Sequence, residues 1–301
     1  MSNPELDAIR ALLLASPRPT ALAERRARLD GLSAHFSAPP DIRVEPVIAG
    51  GVPAEWTTAP EADPSRVILF LHGGGYISGS IASHRHMIAE AGRQARARTL
   101  ALGYRLAPEH PFPAALEDTL AAYRFLLAAG FSPARIVLAG ESAGGGLAIA
   151  ALVSLRDALV SLRDAGTPLP AAAWLSSPWV DLEMRGATMQ TKAALDPLIQ
   201  KPYLQELAAL YLAGADPAGP LVSPIHADLR GLPPTLIQVG SSETLLDDAL
   251  RLAGLAGAAE VRVTLQIWPE MIHAWHLFFP ELAEGRASLA AAGAFIRATL
   301  G

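Results

Sequence analysis

From about residue 66 onward the chain alternates between two patterns. Short runs of consecutive apolar, often β-branched residues fall at 66–71, 98–104, 135–141, 171–177, 234–240 and 261–267. Between them lie longer stretches with helical periodicity, at 83–97, 113–129, 143–165, 245–257 and 282–299. Short apolar runs closed by turn residues predict buried strands, and apolar positions recurring every three to four residues predict helices. Ahead of this block, 42–49 and 52–58 read as paired strands. The first 40 residues read as helical, with Leu6, Ile9, Leu12 and Leu13 on one face and a break at Pro17 to Pro19. Strands alternating with helices predict an α/β fold: a mainly parallel sheet with helices on both faces. The stretch 183–220 interrupts the alternation and contains one helical run, Pro202 to Leu212.

Composition narrows the classes. A chain of 301 residues, 51% hydrophobic, is long enough for one large α/β domain. The net charge is −5, and the densest basic stretch, Glu24-Arg25-Arg26-Ala27-Arg28, has the spacing of a solvated helix face. Nucleic acid is therefore not an expected partner. The absence of cysteine excludes disulfides and thiolate metal sites. No H-E-x-x-H spacing is present, and His84 and His86, two apart, should point to different faces of a helix, so neither metal nor cofactor is expected. No apolar run approaches the roughly 18 to 20 residues of a membrane span, and the start lacks the basic and apolar regions of a signal peptide. The expectation is a cytoplasmic protein.

The chemistry is concentrated in two motifs. Leu138-Ala139-Gly140-Glu141-Ser142-Ala143-Gly144-Gly145 places G-x-S-x-G where a strand gives way to a small-residue helix. This is the pattern of a nucleophile elbow, a strained turn that exposes a serine hydroxyl, here Ser142. Side chains at Gly140 or Gly144 would collide with the neighbouring strand or helix. Upstream, His72-Gly73-Gly74-Gly75-Tyr76 follows the apolar run Val67 to Leu71. Three glycines after a buried strand let backbone N–H groups turn toward a ligand. Acyl transfer needs such donors for the oxygen that gains charge. The expected donors are the amides of Gly74, Gly75 and Ala143, with His72 bracing the loop.

Together with Tyr104-Arg105-Leu106-Ala107-Pro108-Glu109-His110-Pro111, these motifs resemble the hormone-sensitive-lipase family of α/β-hydrolases, and more narrowly its bacterial carboxylesterases. The resemblance runs from roughly Val47 to the C-terminus. It implies an eight-stranded α/β-hydrolase sheet with a helical cap. The N-terminal part of the cap is then 1–40 and the cap insertion 183–220, while the hydrolase core occupies 41–182 and 221–301. It also implies hydrolysis of short- to medium-chain acyl esters, small-molecule partners, and a homodimer through an edge strand near Val261 to Ile267.

The triad order of this fold is Ser, Asp/Glu, His. Two histidines lie in the last fifth of the chain, His273 and His276. His273 matches the family's G-M-P-H loop, although Glu270 replaces the usual Gly and Ile272 the usual Pro. His276 reads as a packing or supporting residue. The acid position matches Glu243, with Asp247 as the alternative or a helix-start residue. Asp181, Glu109 and Glu141 are expected to provide supporting hydrogen bonds. Tyr76, Trp179 and Trp275 have two open readings, pocket walls or core aromatics. A lactone or amide hydrolase would use the same constellation, and a non-catalytic small-molecule receptor on this fold stays open. Finally, Ala151 to Asp157 is repeated identically at Ala158 to Asp164. Seven residues are nearly two helical turns. The repeat predicts a longer helix, with a bulged first copy as the alternative.

Overall fold

The computed structural model describes residues 3–15, 18–160 and 167–301. Eight strands form one sheet in the order β1-β2-β4-β3-β5-β6-β7-β8. They are β1 (Arg43–Ala49), β2 (Val52–Thr58), β3 (Asp63–Leu71), β4 (Ala97–Leu102), β5 (Ile136–Glu141), β6 (Ala172–Ser176), β7 (Thr235–Gly240) and β8 (Val263–Trp268). The β1–β2 and β2–β4 pairs are antiparallel, and the remaining pairs are parallel. The architecture is an α/β-hydrolase fold.

The helices are α1 (Pro4–Ala15), α2 (Leu22–His35), α3 (Ile81–Ala95), α4 (Ala114–Ala128), α5 (Ala143–Val160), α6 (Thr188–Thr191), α7 (Lys201–Leu212), α8 (Leu246–Ala258) and α9 (Ala283–Leu300). The pleat divides the core. On β3, Val67, Leu69 and Leu71 enter one apolar cluster, with α4, α5 and α8, while Ile68 and Phe70 enter the other, with α3 and α9. Consecutive residues of a strand face opposite sides, so a strand buried on both faces must be apolar throughout.

On α1, Leu6, Ile9 and Leu13 are buried while Leu12 is 48% exposed, a correction to the expected face. At 100° per residue Leu12 lies well off the stripe that the other three share. On α5 the first copy of the heptad is continuous helix, with Leu152 and Leu155 buried. The helix continues into the second copy as far as Val160; the rest of that copy lies outside the described residues. Among the described residues no helix is long and apolar enough to cross a membrane.

Candidate active site

Ser142 stands between β5 and α5 with φ of 53°. That left-handed conformation is strained for a residue with a Cβ and persists only where the surroundings enforce it. Here the backbone is clamped on both sides. The Ser142 N–H donates to Ser176 O (2.9 Å), and Ser142 O accepts from Gly145 N–H (2.9 Å) and Trp179 N–H (3.0 Å). The turn also needs very close backbone approach. A Cβ on Gly140 would lie 2.2 Å from Gly144 O, and one on Gly144 would lie 2.1 Å from Leu71 O.

His273, in the loop after β8, reaches Ser142 Oγ with Nε2 at 2.9 Å. Its Nδ1 lies 3.0 Å from Glu243 Oε2. Glu243, after β7, accepts from Ser177 O–H (2.7 Å) and Gly240 N–H (2.6 Å) through Oε1. Three loops at the carboxyl ends of β5, β7 and β8 thus bring together serine, imidazole and carboxylate in one buried chain. Glu270 itself takes the glycine-like φ of 65°, its N–H donates to Ser241 Oγ (2.8 Å), and its carbonyl accepts from Arg10 (2.9 Å). Asp247 is in the first turn of α8 and accepts from Ala187 N–H, so it is not part of this chain.

Burial alone would lower the His273 pKa. The hydrogen bond and charge of Glu243, with the charge of Glu141, outweigh it and hold the imidazole at about 9. Burial pushes the Glu243 carboxyl up, opposed by its bond to His273. His72 and His276 are held down to about 3, chiefly by burial, and are neutral at any working pH.

The 72–76 loop lies against the serine. Gly74 and Gly75 have φ of 112° and 63°, and a Cβ on Gly74 would meet Ser78 O at 2.2 Å. Neither N–H donates to another described residue. The Ala143 N–H is at the first position of α5, where a helix offers no internal acceptor. His72 stacks on Tyr104 (4.2 Å), whose hydroxyl donates to His72 O (2.8 Å), fixing the start of the loop.

Several supporting residues escaped sequence reasoning. His84 on α3 lies 2.8 Å from Ser83 Oγ and 3.2 Å from Glu141 Oε2. Glu141 Oε1 is buried, has no hydrogen-bond partner and lies 3.5 Å from His273 Nε2. The Ser177 hydroxyl was not singled out, and neither was Asp196. Through its carboxylate Asp196 accepts from the N–H groups of Leu198, Ile199 and Thr244. The helical spacing of His84 carried no signal, because its partner comes from a strand 57 residues away. Other expected helpers act further out. His276 contacts Ser176 Oγ (2.7 Å) and Gln238 Oε1 (3.1 Å), Glu109 pairs with Arg26, and Asp181 pairs with Arg251.

A cavity of about 730 Å³ opens over Ser142. Its walls come from α1, α2 and α7 together with Gly74, Gly75, Ser142, Trp179 and His273. Of the three candidate aromatics only Trp179 lines it. Tyr76 is buried and stacked on Tyr211 (3.7 Å), and Trp275 is buried against His276 (3.9 Å), so these two are core aromatics. Among the described residues, Asp181, Glu183 and His226 have ligand atoms within 4.8 Å of one another, but Arg251 and Arg185 already neutralise the two carboxylates.

The α/β-hydrolase-fold family matches residues 68–277, well over half of the chain. An esterase of the bacterial hormone-sensitive lipase family superposes with a TM-score of 0.95 at 46% identity, over the whole of both chains. The chain belongs to this family of ester hydrolases. An acetyl-hydrolase from Streptomyces hygroscopicus is 47% identical over 100% of this chain and 99% of its own length. An esterase from Acinetobacter venetianus is 34% identical over 87% of this chain and 85% of its own.

Proposed function

We propose that this hydrolase cleaves short- to medium-chain acyl esters through a Ser142–His273–Glu243 triad and a covalent acyl-enzyme. The supporting observation is the unbroken chain from Ser142 Oγ to His273 Nε2 (2.9 Å) and from His273 Nδ1 to Glu243 (3.0 Å), opening into one cavity. Ser142 attacks the acyl carbon as His273 takes its proton. The oxyanion forms against the N–H groups of Gly74, Gly75 and Ala143, where each donor is worth about 10²–10³ in turnover. His273 then protonates the leaving alcohol. Water attacks the acyl-enzyme with His273 as base, and the proton returns to Ser142 as the acid leaves. Glu243 holds the tautomer and stabilises the imidazolium. The helices α1, α2 and α7 act as the cap that bounds acyl length.

Hydrolysis of p-nitrophenyl esters of rising acyl length, by the native protein and Ser142→Ala, tests this. Activity should peak at short to medium chains and fall by a factor of at least about 10³ in the variant. Activity that survives Ser142→Ala overturns the assigned nucleophile. Ligand binding with no turnover of any ester would favour a receptor.

A further inference from the structure

Most of the cavity wall is aliphatic, with Leu13, Leu29, Leu198, Ile199, Leu204 and Leu207 among its residues. Arg18, Arg25 and Arg28 interrupt it. The Arg18 guanidinium lies 3.6 Å from the centroid of the Tyr203 ring on α7 and donates to Leu198 O. A carbonyl and a ring face orient the cation but carry no net charge to match it. No carboxylate of the described residues lies within ion-pair distance of it. The contrast with its neighbours is direct: Arg25 is bidentate to Glu206 (2.9 and 3.1 Å), and Arg26 is bidentate to Glu109 (2.9 and 2.7 Å). Asp196, the acid whose charge Arg18 feels, is committed to three backbone amides.

The electrostatics of the wall agree with this geometry. Burial lowers the Arg18 pKa, and the charges of Arg25 and Arg28 lower it further against the opposing pull of Tyr203 and Asp196. Burial is thus the chief cost of the Arg18 charge. Arginine does not escape by losing a proton. An anion brought to a half-buried guanidinium in apolar surroundings offsets the cost of that burial. Among the described residues, the carboxylate that lines the cavity is Glu141, and it lies at the catalytic end beside His273. The cavity is thus polarised, with a negative group next to the nucleophile and a positive group against the cap.

We propose that the cavity selects esters whose acyl chain ends in a carboxylate, and that Arg18 is the residue that reads it. A monoester of a dicarboxylic acid would place its ester carbonyl at Ser142, keep its free carboxylate away from Glu141, and bring it to Arg18. Guanidinium and carboxylate have matching fork geometry, and the pair is strengthened by the dry wall around it. This specificity rests on the esterase reading above.

The experiment compares p-nitrophenyl monoesters of adipic and suberic acid with p-nitrophenyl hexanoate and octanoate, each corrected for spontaneous hydrolysis. At low salt the native protein should favour one of the monoesters over its neutral counterpart by about tenfold in kcat/KM. The ratio should shrink in 1 M NaCl, where charges are screened within about 3 Å. It should fall about tenfold in Arg18→Met and be partly retained in Arg18→Lys. Calorimetric titration of Ser142→Ala with monoethyl suberate provides a readout without turnover, and the same titration of the Arg18→Met double variant should show about tenfold weaker binding. Equal or better use of the neutral esters, or a preference that survives Arg18→Met, overturns the proposal while leaving the esterase intact. Failure of the native protein on every neutral and anionic ester would instead overturn the esterase reading.

Discussion

Two carboxylates face the His273 imidazole, on opposite nitrogens. Glu243 holds Nδ1 at 3.0 Å, while Glu141 Oε1 stands 3.5 Å from Nε2 without a donor of its own. In the proposed mechanism the neutral imidazole is the base, so a pKa near 9 means that kcat/KM should climb with pH until about 9. Glu141→Gln removes one negative charge from the imidazolium. The limb should then move down by about one pH unit, because an opposite charge nearby favours the charged form. The plateau should also fall, since the imidazolium of the transition state loses the same support. A pH profile on a neutral p-nitrophenyl ester reads both; a limb that stays put means that Glu141 does not act on His273. At this scale the sequence was legible wherever chemistry is local. G-E-S-A-G and the late histidine point to Ser142 and His273 directly. Glu243 rested on the family match, with Asp247 as the alternative since both follow β7 within a few residues, and the loop geometry separates the two. His84, Ser177 and Arg18 were not legible, because their partners are set by topology and not by neighbours in the chain.

The elbow is an element whose sequence leaves little freedom. Gly140 and Gly144 are both closed in by backbone, which does not yield as a side chain tip does. Gly140→Ala or Gly144→Ala should cost several kcal/mol and abolish activity, in line with other overpacked or strained sites. Gly257 on α8 is the control: it is solvent-exposed and a Cβ there meets nothing within 4 Å. Gly257→Ala should be neutral or stabilise by about 0.5–1 kcal/mol, since alanine is the better helix former. Thermal melts of the three variants check the contrast, and an unchanged melting point in Gly140→Ala would contradict the close contact. Strands and helices of the sheet were legible to within a few residues, because β3 and β5 are apolar on both faces and the helices between them have clear periodicity. The helices α1 and α2 were less so. Leu12 was expected to share the buried face, yet it is exposed and lines the cavity mouth, where apolar residues meet ligand and solvent instead of core.

Seen as a whole, the carboxyl end of the sheet is held by buried imidazoles that must stay neutral. His72 fixes the loop after β3, His276 bridges β6 and β7, and His86 donates to Leu277 O from α3 (2.8 Å). Burial lowers their pKa values to about 3, 3 and 4 respectively. In the unfolded chain each takes a proton near pH 6.5, so the unfolded state binds more protons below that point. Their contribution is complete above pH 6.5 and is lost as pH falls toward their folded values. His273 works in the opposite sense. Its folded pKa lies above the unfolded one, so its contribution is complete below pH 6.5 and fades as pH rises through about 9. Between pH 7.5 and 5.5 the three neutral histidines together withdraw about 4 kcal/mol, while His273 returns about 1 kcal/mol and Asp248, whose carboxyl burial pushes up to about 8, returns about 2–3 kcal/mol by taking a proton in the folded state. These opposing contributions come within about 1 kcal/mol of cancelling over those two units. Urea unfolding at pH 7.5, 6.5 and 5.5 should show a nearly level midpoint in the native protein. His276→Gln keeps hydrogen-bonding capacity without a titrating ring, so between pH 7.5 and 5.5 its stability should rise by about 1.4 kcal/mol relative to the native protein, even if it is lower at pH 7.5. A pH dependence identical to that of the native protein would mean that His276 is not held neutral by burial. Acid inactivation should start at the same end of the sheet, because these imidazoles support the loops that carry Gly74, Ser142 and His273.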